Sequence, residues 1–183
     1  MKYTTKLGLS EYIFQDITNS VNFPLDLIRI FRMFIQSRAE YILPLFRFCN
    51  YPGLSKVTLK LVKMRYNSLC DRYSVYLPIE TKLGTRITFP HNFPLIINPA
   101  AIIGDGCIIH PCVLIGRDRG KIGAPTIGNN CFIGHGAKII GNPNIGDWTF
   151  IAPGAIVTKD IPKCSIVGAG LNNILETGGE AAC

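Results

Sequence analysis

From Leu77 to Val157, large apolar residues recur at every sixth position. Leu77, Leu83 and Phe89, then Ile97, Ile103, Ile109 and Ile115, then Ile127, Ile133, Ile139, Ile145, Ile151 and Val157 hold one frame. That frame slips by two residues between Phe89 and Ile97 and passes over a polar segment between Ile115 and Ile127. A second frame, four residues on, is small or apolar: Ala101, Cys107, Val113, Cys131, Ala137, Thr149 and Ala155. Turn formers fill the gaps, as in "IGDG", "IGNN", "IGHG" and "IAPG". A helix repeats near 3.6 and a lone strand near 2, so a sustained period of six fits neither. It is the pattern of a parallel β-helix built from hexapeptides. Each hexapeptide lays one short strand with its frame residue inside a narrow prism. A small residue packs near the corner, and Gly, Asn or Asp supplies the corner backbone. No single strand buries its apolar side alone, but stacked coils bury a continuous column.

The sequence divides into residues 1–75, an α-helical region, residues 76–170, the β-helix, and residues 171–183, a polar tail expected to be a short helix or frayed. In the first part glycine is scarce and apolar residues recur at three and four: Leu25, Ile28, Phe31 and Phe34, then Ile42, Leu45 and Phe48. That spacing predicts amphipathic helices, with Pro24 at a helix start and Pro52-Gly53 as a break. "SKVTLKLVKMRYNSL" reads as a further helix. Residues 1–75 hold eleven Lys/Arg against five Asp/Glu, and the remainder eight against seven. A basic helical layer suits weak contact with an anionic membrane surface, or it is simply the solvated face of a cap. No nucleic-acid partner is expected.

Seven cysteines are present without a C-x-x-C pair or a zinc spacing. Cys107 and Cys131 fall on the small-residue frame as compact core hydrophobes. A reduced, cytoplasmic protein is the better reading. "MKYTTKLGLSEYIF" lacks the apolar stretch of a signal peptide, and no apolar run reaches the ~18 residues of a spanning helix.

Where the frame slips, "TFPHNFPLIIN" must bulge out of the prism around His91 and Asn92, and loops on a rigid scaffold are common places for chemistry. "GRDRGKIGAPTIG", with Arg117, Arg119 and Lys121, must also leave the dry column. With the six-residue frame, these segments resemble the hexapeptide-repeat acyltransferases. The resemblance runs from about Phe46 to Gly168 and implies a left-handed parallel β-helix of three hexapeptides per coil, usually trimeric. It is sharpest for the serine acetyltransferases and the similar sugar O-acetyltransferases, in which a run of the type I-x-H-x-x-G-I-V-I-N carries the catalytic histidine. "ITFPHNFPLIIN" matches at His91 and at the closing apolar-apolar-Asn, with Pro94 in place of a Gly and Pro90 in place of an Asp.

By the same resemblance, "IGHGAKIIG" and "IAPGAIVTKDIP" belong to the acetyl-CoA-binding coils. They imply that Gly134 and Ala152 offer backbone groups to the pantetheine arm, with Thr158 and Lys159 towards the nucleotide end. Asn92 and Arg119 are candidate acceptor-binding residues, and no metal is implied. Tyr76 falls where the serine enzymes carry an aspartate that orients the histidine, and Glu80 is the nearest acid in sequence. Gly123-Ala124-Pro125 replaces an Arg-His-Pro triplet whose His helps bind the acceptor amino acid in those enzymes.

The expected chemistry is direct acyl transfer from a thioester to a hydroxyl. An imidazole with an ordinary pKa of about 6.5 takes the hydroxyl proton and returns it to the departing thiolate. The expectation is therefore an acetyl-CoA-dependent O-acetyltransferase, a homotrimer, acting on a saccharide hydroxyl of a surface polysaccharide or its precursor. The alternatives are a serine O-acetyltransferase and a non-catalytic β-helix scaffold. His110 and His135 read as corner residues. A zinc site of the γ-class carbonic anhydrase kind is disfavoured because His91, His110 and His135 are widely spaced and differ in phase.

Overall fold

The computed structural model describes residues 13, 16, 32, 34–36, 38–91, 94–120 and 122–177. The chain forms two compact units, Met1–Tyr73 and Ser74–Cys183. Pro24, Leu25, Ile28, Phe31, Asn92 and Lys121 lie outside the described residues.

In the first unit a 3-10 turn, Ala39–Tyr41, leads into α1 (Ile42–Cys49), and α2 spans Lys56–Tyr73. Pro52 and Gly53 form the break between them, and the Ser55 side chain caps α2 by accepting from the Thr58 N–H at 3.1 Å. Every residue of α1 is buried, Arg47 included. Arg47 is therefore not part of a solvated basic face. Its guanidinium holds the equally buried Asp16 through two bonds of 2.8 and 3.0 Å. α2 buries Val62, Tyr66, Leu69 and Cys70 along one side. No described helix is long and apolar enough to cross a membrane.

The second unit is a left-handed parallel β-helix with three faces. Face A stacks β1 (Val75–Tyr76), β3 (Leu95–Ile97), β6 (Leu114–Gly116), β9 (Lys138–Ile140), β12 (Ala155–Val157) and β14 (Gly170–Leu171). Face B holds β2 (Lys82–Leu83), β4 (Ile102–Ile103), β7 (Thr126–Ile127) and β10 (Asn144–Ile145). Face C holds β5 (Ile108–Ile109), β8 (Phe132–Ile133), β11 (Phe150–Ile151), β13 (Ser165–Val167) and β15 (Ile174–Thr177). The frame residues form the core: all are buried except Phe89, which is half-buried beside the bulge.

Small-frame residues do more than fill space. Cys107 Sγ donates to Gly128 O at 3.2 Å, and Cys131 Sγ to Gly146 O at 3.3 Å. Thr149 Oγ1 donates to Gly146 O at 2.7 Å, and Ser165 Oγ to Pro162 O at 2.7 Å. Carbonyls turned inward at the B/C edge are thereby satisfied. On the outside of that edge Asp105, Asn129 and Asp147 each accept a backbone N–H from the preceding coil, at 2.7, 2.9 and 2.6 Å. The corners also take residues other than Gly, Asn or Asp at positive φ: Arg86 (55°), Cys112 (60°), Trp148 (59°) and Cys164 (52°). Strands paired on both sides hold these corners where local preference alone would not.

Two expectations are corrected. Residues 171–177 are neither helical nor frayed: β15 returns antiparallel onto β13 and pairs an otherwise open edge of face C. The chain is not fully reduced either, since Cys164 is disulfide-bonded, while Cys49, Cys70, Cys107, Cys112 and Cys131 are free thiols.

Candidate active site

The bulge is built by two extra residues at the C/A edge of the first coil. Thr88 still bridges Ile108 on face C, and Val75 pairs with Leu95 on face A. The backbone leaves the ladder after Thr88 and rejoins at Pro94, whose carbonyl accepts the Cys112 N–H at 2.6 Å. His91 is exposed within that excursion.

The same edge on later coils carries the other two histidines. Their chain positions are one and two residues past a frame residue, which hides their relation in sequence. The His91 and His110 ring centroids lie 6.1 Å apart, edge to face at 64°. His110 also packs against Phe132 at 4.8 Å, and Phe132 stacks flat on Phe150 at 4.7 Å. Burial first, and then the His91 and His135 imidazoles, hold the His110 pKa below the ordinary histidine value. Sequence reading left His110 as corner structure; one coil of eighteen residues on from His91 falls at Ile109, one position short of it. Among the described residues no three His, Cys, Asp or Glu side chains could together hold a metal ion.

Gly134 and Ala152 follow on this edge, one coil after another. Their N–H groups are committed to the ladder, to Ile151 O and Val167 O at 2.8 Å each. Their carbonyls accept from Ala137 and Ala155 at 3.1 and 3.2 Å. What each can still present to a ligand is the second lone pair of a carbonyl and a flat backbone. Thr158 and Lys159 lie at the next edge, A/B, and both are exposed. The Thr158 hydroxyl and N–H are held by Asn172 at 2.8 and 2.7 Å. Arg117 and Arg119 are exposed on the A/B loop of the third coil. Glu80 stands in the turn between β1 and β2, also at the A/B edge, and Tyr76 is an exposed member of face A. Neither occupies the edge that carries His91.

The profile described as "Bacterial transferase hexapeptide (six repeats)" matches residues 124–159. The matched segment is similar to the hexapeptide-repeat transferases, and the fold is a left-handed β-helix. The curated relatives it is similar to include the serine acetyltransferase of Synechococcus elongatus, 38% identical over 90 residues, covering 48% of this chain and 37% of that one. The serine acetyltransferase of Staphylococcus aureus is 30% identical over 113 residues, covering 59% and 53%. The chain thus spans 37% to 53% of the length of these relatives. Among solved structures, serine acetyltransferase from Brucella abortus superposes with a TM-score of 0.69 at 23% identity, covering 93% of this chain and 69% of that one. A serine acetyltransferase in complex with CoA gives 0.59 at 22% identity, covering 71% and 53%. The two curated relatives, both serine acetyltransferases, overturn the expectation of a saccharide acceptor and a role in polysaccharide synthesis.

Proposed function

We propose that the chain is an acetyl-CoA-dependent serine O-acetyltransferase working as a homotrimer, with His91 as general base. Similarity to serine acetyltransferases supports the acceptor. One observation carries the site: His91 heads the edge that continues, coil by coil, through Gly134 and Ala152. Three coils at ~4.8 Å each separate His91 from Ala152, about 14 Å along which an extended pantetheine arm can run. The exposed apolar residues Tyr76, Ile96, Ile102, Ile108, Trp148 and Phe150 on the prism suit burial between copies.

In this reading His91 takes the proton of the serine hydroxyl as its oxygen forms a bond to the thioester carbonyl carbon. The tetrahedral intermediate collapses, the C–S bond breaks, and the leaving thiolate receives that proton from the imidazolium. Gly134 and Ala152 flank the arm through their carbonyls. Thr158 and Lys159 serve the nucleotide end, where the lysine pairs with phosphate. Asn92, next to His91 in sequence, is assigned to the acceptor side.

Thiol release from acetyl-CoA in the presence of L-serine tests the proposal. His91→Ala is expected to lower kcat by about 100-fold or more without altering the melting temperature. Absence of serine-dependent thiol release would overturn it, and failure to bind CoA at all would point to a scaffold.

A further inference from the structure

A base of this kind needs a group that fixes its ring and tolerates the charge it gains. The position that carries an aspartate in the resembling enzymes is Tyr76 here, exposed on face A, and Glu80 stands at another edge. The ring that meets His91 is instead an imidazole, His110, edge-on at 6.1 Å. His110 is itself well anchored. Its backbone N–H donates to Ile133 O at 2.9 Å, and its ring rests on Phe132, which stacks on Phe150 with only 7° between planes. Phe132 and Phe150 pair across face C at an outward register, beyond the core column. The prism does not need these rings for its interior, yet they form a continuous support from the fourth coil up to the bulge.

We propose that His110 is the positioning residue for His91, standing in place of a carboxylate. The inference rests on the reading of His91 as base. The His110 ring holds the His91 ring in the bulged corner and, while neutral, leaves it free to carry the transferred proton. It neither gains nor loses a proton in the reaction. A charged His110 would oppose the imidazolium that forms on His91, because like charges this close repel. The titratable groups that act on His110 are His91 from the coil before and His135 from the coil after. Burial first, and then the His91 and His135 imidazoles, lower the His110 pKa and so favour its neutral form.

The test combines kinetics with imidazole NMR on the full chain. His110→Gln, which removes the ring, is expected to lower kcat about tenfold or more while the KM for acetyl-CoA stays within about twofold. His110→Phe keeps a ring on Phe132 and is expected to recover most of kcat. The acid limb of its kcat/KM profile should follow one proton, where the wild type approaches two. Wild-type kcat and an unchanged pH profile in both variants would overturn the proposal. The NMR arm stands apart from turnover: in His91→Gln the His110 pKa should rise as one neighbouring charge is lost. An unmoved His110 pKa would refute the pairing even if His91 proved to be the base. Absence of serine acetylation by the wild type, together with a moved His110 pKa in His91→Gln, would instead refute the function and leave the pairing in place.

Discussion

A side-chain carbon at Gly134 would lie 2.5 Å from the backbone nitrogen of Pro153 on the next coil. Glycine is required there by the approach of two coils, whatever ligand lies outside. Gly136, two residues on, has open space around the same atom but a φ of +69°. Gly134→Ala is therefore expected to cost about 2–3 kcal/mol through forced separation of coils. Gly136→Ala should cost about 1 kcal/mol through backbone strain alone. Urea unfolding of both variants checks the order. If Gly134→Ala keeps full stability but loses CoA affinity, the glycine serves the ligand and the packing account is wrong.

The column was legible because a fixed period assigns the interior residue of each strand without reference to any other strand. Ile97, Ile103, Ile109 and their successors could be placed one by one, and all are buried. What the period does not fix is which corners come together once segments are inserted. His110 and His135 are separated by one coil plus the loop that includes Arg117 and Arg119, so linear spacing concealed that they share an edge. Corner chemistry was misread for a related reason. Cys112 and Trp148 take a left-handed backbone because paired strands on either side demand it, a constraint absent from local propensity. The tail read as polar, yet Ile174–Thr177 is held by the open edge of β13, a partner that its own sequence does not announce. The acceptor was drawn from loop motifs, and similarity to serine acetyltransferases corrected it.

The Arg47–Asp16 pair gives the helical unit its own prediction. Both side chains are nearly inaccessible, at 3% and 4% exposure, and the guanidinium fork donates two bonds to the carboxylate. Removing one partner strands the other charge in a dry site. Arg47→Ala should therefore destabilise by about 3–5 kcal/mol. Arg47→Met combined with Asp16→Leu should recover much of that loss, because no uncompensated charge remains. Chemical denaturation followed by far-UV circular dichroism distinguishes these outcomes. A double variant no better than Arg47→Ala would show that the pair contributes more than mutual neutralisation.

Thiol reactivity should divide the free cysteines sharply. Burial pushes the Cys49 thiol up to about 12 and the Cys70 thiol up to about 11. The thiolate is the nucleophile, so both are protected by charge state as well as access. Cys107 is raised too, first by its hydrogen bond with Cys131 and then by burial, and both sit inside the prism. Cys112 is exposed. Iodoacetamide at pH 8 on the native chain should modify Cys112 at least about 100-fold faster than Cys49 or Cys70, read by peptide mass spectrometry. Comparable rates would mean that the helical unit opens on the timescale of labelling.

Two buried threonines should respond in opposite directions to one substitution. Thr149 Oγ1 donates to Gly146 O at 2.7 Å and reaches Pro162 O at 3.3 Å, so its hydroxyl satisfies carbonyls inside the B/C edge. Thr81 is also buried, yet among the described residues its Oγ1 has no hydrogen-bond partner. Valine has nearly the shape of threonine and lacks the donor, so it isolates the hydroxyl. Thr149→Val is expected to destabilise by about 1–2 kcal/mol, because it leaves carbonyls under-satisfied in a dry interior. Thr81→Val removes a desolvated polar group that gains nothing and should stabilise by about 1 kcal/mol. Urea midpoints for the two single variants, measured at a shared m-value, compare them directly. Destabilisation by both would show that the Thr81 hydroxyl has found a partner in solution, and that the first coil is packed against more than its own strands.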